Sequence, residues 1–409
     1  MIVTKIKSYL ANINFLDLTE LPNDAYLVGG SVRDAVLQRD KISFDLDFVL
    51  PQKAIATAKK FANLYHGGFV VLDEVREIAR VVFERGTLDL ARQEGSSLEI
   101  DLQRRDFTIN AIAYNIKFQQ LVDPFDGLAD LERGILRMVA VKNLEDDPLR
   151  LLRAYRQAAQ LNFTIETQTR KAISDRTFLL ETIAAERVRA ELNYIFTAPE
   201  GNKWLAAAID DGLLNYWLPH SQEVNLEQLQ EITRGIKFCQ ESDLERAELA
   251  ILSKLSALVS TDVELAETEL TNLKYARHQI KAIIKTVKHL PQLQQMTRAM
   301  TLREQYFWFL DVKDIFPILI ARAIASNVPK QIIEPLIKRY LDPQDPVTYP
   351  RCLVTGNDLM QELNLKPSRL IGELLTEIQV AQIESKIATP QQAIEFANSR
   401  LRSPLDSEQ

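Results

Sequence analysis

The 409-residue chain is poor in the residues that build cross-links and transition-metal sites, with two cysteines and four histidines. Cys239 and Cys352 lie more than a hundred residues apart with no CxxC or Cys/His pattern nearby, which excludes a disulfide scaffold and a structural zinc site. His66, His220, His278 and His289 lack metal-ligand spacing, so histidine-based metal catalysis is not expected. Long apolar runs are missing too. The stretch after Lys5 and Lys7 is broken by Asn12, Asn14, Asp17 and Glu20, leaving neither a signal-peptide core nor a run of membrane length. A reducing cytoplasm is the expected home. No single sign of charge dominates: 49 Lys and Arg against 56 Asp and Glu leave a formal charge of −7. That excludes a uniformly basic nucleic-acid coat but leaves room for a local basic groove. With 46% hydrophobic and 26% charged residues, the chain reads as soluble and globular, long enough for roughly two to four small domains or a string of helical modules.

Strand signals concentrate in the first 140 residues. Ala25 to Val28 is a short apolar run ending in Gly29-Gly30, and Ser31 to Gln38 then has helical spacing. Phe44 to Leu50 reads as a strand, and Ala79 to Glu84 with Thr87 to Ala91 as a hairpin around Gly86. From about residue 145 onward Leu, Ala, Glu, Gln, Lys and Arg dominate at intervals of three and four, which predicts a helical remainder. Breaks are expected near Pro199-Glu200-Gly201, at Leu218-Pro219 and from Leu341 to Pro350. No repeat or low-complexity tract is present.

In Phe44-Asp45-Leu46-Asp47-Phe48, strand alternation places Asp45 and Asp47 on one face. Two carboxylates about 7 Å apart on a strand suit a pair of Mg²⁺ ions handling phosphates; a polar strand face is the alternative. Just upstream, Gly29 and Gly30 let backbone approach a ligand closely. The helix that follows offers free N–H groups, and Arg33 adds a fork of phosphate donors. Side by side, these features make an anion cradle beside a metal-binding strand. A third carboxylate, to complete the site and to activate or orient an attacking hydroxyl, fits Asp89 by alternation. In Arg104-Arg105-Asp106-Phe107-Thr108-Ile109-Asn110, the arginines suit a triphosphate. Asp106 and Asn110, one helical turn apart, suit a ribose hydroxyl.

The Gly-Gly-Ser-Val-Arg-Asp run, Asp45-x-Asp47 and Arg-Arg-Asp-Phe-Thr-Ile-Asn-Ala together resemble the head of the bacterial-type (class II) tRNA nucleotidyltransferase/poly(A) polymerase family. Asp123-Pro124-Phe125-Asp126-Gly127 resembles its head-to-neck hinge. The resemblance implies an α+β head, a polymerase-β-like nucleotidyltransferase with a small mixed sheet and helices, followed by an all-α neck, body and tail. The expected divisions are 1–140 for the head, 141–215 for the neck, 216–345 for the body and 346–409 for a tRNA-binding tail.

In the neck, Asp147 and Arg150 lie three apart, as neighbours on one helix face extended by Arg153 and Arg156. An Asp acceptor and an Arg donor match the Watson–Crick edge of cytosine, or of adenine after a small shift; an intrahelical salt bridge is the alternative. The resemblance implies that Asp147 and Arg150 select CTP and ATP, that Arg153 and Arg156 support the nucleotide, and that Ala185 to Leu192 buttresses this reader. In the body, Lys274, His278, Lys281, Lys285 and Lys288 form a basic stripe that either follows an RNA backbone or faces solvent. Tyr306 to Leu310 reads as core. Cys352 to Leu359 and Leu365 to Leu375 resemble the family's tail element, a turn that offers Lys366 and Arg369 to RNA phosphates, with Ser368 where relatives often carry glycine.

The function so implied is template-independent addition of C, with or without A, from CTP and ATP to the tRNA 3′ end. Pyrophosphate is released, Mg²⁺ is the cofactor held by Asp45 and Asp47, and no membrane takes part. The fifteen residues from Leu90 to Arg104 are fewer than full CCA-adding relatives usually have, which suggests an enzyme that adds only CC. A poly(A) polymerase and a catalytically silent RNA-binding module are the alternatives. The short acidic ending, Ser403 to Gln409, favours tRNA over the first, and the intact Asp45/Asp47 pair speaks against the second. A positive groove is expected from Arg33 and Arg105 through Arg150 to Arg156, toward Lys366.

Overall fold

The protein is described here by a computed structural model covering residues 2–39, 43–244 and 246–402; the ending at 403–409 lies outside the described residues. The chain divides into two compact units, Met1–Pro219 and His220–Gln409.

The first unit is built on a seven-stranded sheet whose strands are β1 (Tyr26–Val28), β2 (Phe44–Leu50), β3 (Gly68–Asp73), β4 (Ile78–Phe83), β5 (Gly86–Arg92), β6 (Ala113–Asn115) and β7 (Gln120–Val122). Their order across the sheet is β3-β4-β5-β2-β1-β6-β7, with β2 and β5 parallel and every other pair antiparallel. Alternation in β2 works as the sequence predicts: Leu46 and Phe48 are buried beneath the sheet while Asp45 and Asp47 face the other way. The expected hairpin around Gly86 is β4 with β5. Strand β3 was not anticipated, because as an outer strand it leaves Val70, Val71 and Leu72 exposed and shows no alternation. The three-residue strands β6 and β7 are too short to display a period.

Beyond the sheet the chain is helical apart from β8 (Ile135–Leu136) and β9 (Thr164–Ile165), a parallel pair within the first unit. The helices Ala185–Thr197 and Gly201–Asp210 meet at the predicted Pro-Glu-Gly break, and Lys330–Leu341 ends where the second proline-rich stretch begins.

In the second unit, helix Leu226–Glu241 packs closely on Phe316–Ala325: a Cβ at Gly235 would lie 2.1 Å from the carbonyl oxygen of Ala321. Tyr306, Trp308 and Phe309 are core as predicted, whereas Phe307 and Leu310 are exposed. Residues 353–401 close around a hydrophobic cluster of their own that includes Leu359, Leu374, Ile378 and Ala397.

Lys254, on the apolar helix Leu249–Leu258, is buried, and desolvation pushes its ammonium down to about 8. The folded chain then binds fewer protons than the unfolded chain between about pH 8 and the free-lysine pKa of about 10.4, so stability rises with pH through that window. Lys254→Met removes the burial cost. It is expected to abolish the rise of stability between about pH 8 and about 10.4, as urea titrations at neutral and alkaline pH would read.

Candidate active site

Strand register assembles the site. Val28 pairs with Asp47 on one side, and Asp45 and Asp47 pair with Thr87 and Asp89 on the other. The Gly-Gly turn after β1 is thereby set beside the two carboxylates. Gly29 has φ +71°, a conformation that favours glycine, and a Cβ there would meet the Arg105 guanidinium at 2.9 Å. Buried Ser31, at the start of helix Gly30–Val36, stitches turn to strand: its hydroxyl donates to the Asp45 carbonyl (2.7 Å) and accepts from the Asp47 N–H (3.2 Å).

Asp45 accepts from the Thr87 hydroxyl. Burial, then the charges of Asp45 and Asp89, push the Asp47 carboxyl up to about 6 against the pull of Arg105 and Arg80. Asp89 lies beside Asp47 as expected, but its two oxygens are held by Arg80 at 2.7 Å each. Accordingly, no group of three or more His, Cys, Asp or Glu side chains converges as a metal cage among the described residues. A site of two carboxylates is what Mg²⁺ accepts when substrate phosphates and water complete its shell.

A cavity of about 780 Å³ in the first unit opens over this pair and is lined by Gly29, Gly30, Arg33, Asp45, Asp47, Arg105, Asp106, Asn110, Arg150, Arg153 and Arg156. Asp89 and Asp147 are not among its lining residues. Arg33 donates to Asp34 (3.0 Å), Asn110 (2.8 Å) and Gln157 (3.2 Å). Buried Asp101 accepts from Arg104 (3.4 Å) and Arg105 (3.3 Å), which aims both arginines at the cavity rim. The buried Nε atoms of Arg105 and Arg150 have no hydrogen-bond partner among the described residues. Donors left open in this way suit an anionic ligand.

Two geometric expectations are corrected. Asp106 and Asn110 are not a turn apart on one α-helix, because helix Leu98–Gln103 ends before them and Thr108–Asn110 is a 3₁₀ turn. They bond each other instead, at 2.8 Å. Burial alone would push the Asp106 carboxyl up, but Arg153, Asn110 and the Phe107 N–H hold it below the usual carboxylate range.

Nor does Asp147 share a helix face with Arg150. Pro148 keeps Asp147 out of helical backbone between helices Val141–Asp146 and Leu149–Leu161. Asp147 pairs with Arg187 (3.2 Å), while Arg150 donates to the carbonyls of Arg104 (2.9 Å) and Asn143 (3.0 Å). The intrahelical salt bridge is therefore absent.

Helix Ala185–Thr197 supports this wall through Arg187 and through Glu191, which pairs with Arg156 and lies 4.0 Å from Arg153. Asn143, whose amide spans the carbonyls of Gln103 (2.8 Å) and Arg105 (2.7 Å), ties the Arg-Arg-Asp turn to the neck. Ser31, Arg80, Asn143 and Gln157 were given no role in the sequence reading, since only partners distant in sequence reveal their work, and Asp101 was missed because its burial is not visible in the sequence.

In the second unit a basic concavity of about 750 Å³ gathers Lys274, Arg277, Lys281, Lys285 and Lys288, together with Glu267 and Asp311. Lys274 precedes the helix Arg277–Gln294 in a left-handed turn, so it is not part of a helical stripe. Lys285 is already occupied by Asp311 and Asp314. Lys366 is exposed, and exposed Arg369 pairs with Glu373. The groove from Arg33 to Arg156 lies within the first unit, and Lys366 belongs to the second.

A sheet of this topology, carrying an anion cradle against two crowded carboxylates, defines a phosphate-handling head. Residues 25–137 match the family described as the Poly A polymerase head domain, 162–224 the probable RNA and SrmB-binding site of polymerase A, and 244–397 a putative tRNA nucleotidyltransferase domain 2. The chain is 46% identical over 394 residues, 93% of its length and 94% of the relative's, to a CC-adding tRNA nucleotidyltransferase of Synechocystis sp.. It is 31% identical over 392 residues, 91% of both chains, to a CCA-adding enzyme of Streptococcus agalactiae. The fold is similar to a Thermotoga maritima CCA-adding enzyme complexed with tRNA, with a TM-score of 0.71 at 24% identity covering 98% of this chain and 94% of that one. It is also similar to a CCA-adding enzyme in complex with CTP, with a TM-score of 0.76 at 23% identity covering 98% and 99%. The chain belongs to the class II tRNA nucleotidyltransferase/poly(A) polymerase family. No described helix is long and apolar enough to cross a membrane.

Proposed function

We propose that this chain adds two cytidines to the 3′ end of tRNA and stops there. The observation that carries the stopping rule is the connection between β5 and the Arg-Arg-Asp turn. Only residues 93–97 lie between the end of β5 at Arg92 and helix Leu98–Gln103. They are pinned by Gln93 N–H to the Leu50 carbonyl (2.7 Å), by Glu94 N–H to Asp101 (3.0 Å) and by an Arg104–Glu94 ion pair (2.8 Å). At its far end Ser97 caps the helix by accepting from the Ile100 N–H (3.4 Å), and a segment so held has no slack to shift the reader from cytosine to adenine. The 46% identity to a CC-adding relative supports the same reading.

In this reading Gly29, Gly30, Arg33 and Arg105 hold the triphosphate, with the helix that begins at Gly30 offering its N–H groups. Arg153 and Arg156 support the nucleotide, and Asp106 and Asn110 stand where the ribose would pass. Arg150, anchored on two carbonyls, and Asp147, steadied by Arg187 and outside the cavity lining, are the pair that would meet the Watson–Crick edge of cytosine. Asp45 and Asp47 would hold Mg²⁺, which when bound makes the tRNA 3′-hydroxyl more acidic and offsets charge on the phosphates. The hydroxyl oxygen forms a bond to the α-phosphorus of CTP as the bond to the pyrophosphate oxygen breaks. Asp89, clamped by Arg80, acts from beside Asp47 through its charge. Lys274, Lys281, Lys366 and Arg369, with Lys285 in a weaker part, meet the RNA backbone. The segments 1–140, 141–215, 216–345 and 346–409 then serve as head, neck, body and tail, in a cytoplasmic enzyme.

Incubating the chain with tRNA lacking its 3′ end, and with CTP, ATP or both, tests this. The expected product carries two cytidines whether or not ATP is present. Completion to CCA by this chain alone overturns the stopping rule, and long A-tails on unstructured RNA overturn the tRNA assignment.

A further inference from the structure

A further cleft, of about 430 Å³, lies in the helical second unit and shares no residue with the nucleotide site. Its wall includes Arg322 together with His220, Gln228, Thr261, Ser326 and Glu223. Arg322 sits in the last turn of helix Phe316–Ala325. The usual duty of a cation there is to donate to the terminal carbonyls. Here backbone N–H groups already do that work: Ser326 bonds the Arg322 carbonyl (3.0 Å), Asn327 that of Ile324 (3.0 Å) and Val328 that of Ala323 (3.0 Å).

The Arg322 Nε is sealed from solvent and has no hydrogen-bond partner, and no carboxylate pairs with the guanidinium among the described residues. Desolvation, with no compensating charge, pushes this guanidinium down to about 10. A half-buried cation with a sealed, unpartnered Nε and no counter-charge is costly, and it is tolerated where a ligand supplies the missing charge.

We propose that this cavity is a binding site for a small free oxyanion of the phosphate class, with Arg322 as its charge partner. Hydroxyl and amide donors of Thr261, Ser326 and Gln228 stand in the same wall to complete the shell. The size and charge of the ligand follow from the wall. One arginine opposed by Glu223 suits a single small anion. A triphosphate or a strand of RNA needs a row of cations, and the wall has none.

Calorimetric titration of the full chain with inorganic phosphate tests the proposal. Wild type is expected to take up one more phosphate per chain than Arg322→Met. Any phosphate held in the head is common to both proteins and cancels. Arg322→Met keeps the stem and removes the unpaired charge, so it is expected to fold and to transfer CMP from CTP to tRNA, releasing pyrophosphate, at the wild-type rate. Ala325→Leu, which fills the cavity and leaves Arg322 in place, gives an independent variant expected to lose the same phosphate. Equal uptake by all three proteins overturns the site. A several-fold loss of tRNA affinity in Arg322→Met would assign the anion to the RNA backbone and overturn the free-ion source.

Discussion

Asp47→Asn is expected to lower cytidine incorporation by on the order of 10³-fold or more while leaving a folded and more heat-resistant chain. Both effects have one origin. Asp47 is crowded by Asp45 and Asp89 in a largely desolvated position, and its carboxyl is pushed up to about 6. Between the ordinary carboxylate pKa and about 6, the folded chain binds more protons than the unfolded chain. Stability therefore falls as pH rises through that window and stays reduced above it. The amide has no charge to lose, so without divalent metal Asp47→Asn should be more stable than wild type at mildly alkaline pH, by up to about 3 kcal/mol. The gap should close below about pH 4. Melting curves across pH, with incorporation assays beside them, read both halves. An active Asp47→Asn variant would remove the metal assignment, and a destabilised one would remove the electrostatic account.

The second large effect concerns choice of base. The double variant Asp147→Ala, Arg150→Ala is expected to reduce the preference for CTP over UTP by about 10- to 100-fold, since a paired base contact is worth about 1–3 kcal/mol. Arg187→Ala separates recognition from support. It leaves both reading groups in place but frees Asp147 from its 3.2 Å contacts, and so should erode selectivity only in part. Incorporation of each nucleotide opposite no template, measured singly and in competition, gives the ratios. Selectivity unchanged in the double variant would place base reading elsewhere in the cavity.

Much of the site was legible because it depends on local spacing. Two glycines before a helix and two aspartates alternating on a strand carry their geometry with them, and their alignment follows once β1 pairs with β2. Asp147 and Arg150 show where spacing misleads. Three residues apart suggests one helix face, yet Pro148 disfavours helical backbone at Asp147 and the pair is split by a turn. That signal was present and outweighed by the charge pattern. Arg80 and Asp101 were not legible in the same way. Arg80 meets Asp89 only because β4 pairs with β5, and the worth of Asp101 depends on its complete burial beneath Arg104 and Arg105. The basic stripe was legible only in part for a related reason, since periodicity shows which lysines share a face but not that Asp311 and Asp314 occupy Lys285.

The nucleotide cavity holds seven arginines and four aspartates among its lining residues, on a chain whose formal charge is −7. Field lines from so small a positive opening in a negative surface are focused on its mouth, and counter-ions gather there when nucleotide is absent. Loading a triphosphate must first expel that ionic atmosphere. Nucleotide capture is thus a contest with dissolved salt, fought over roughly a Debye length of solvent before any base is read.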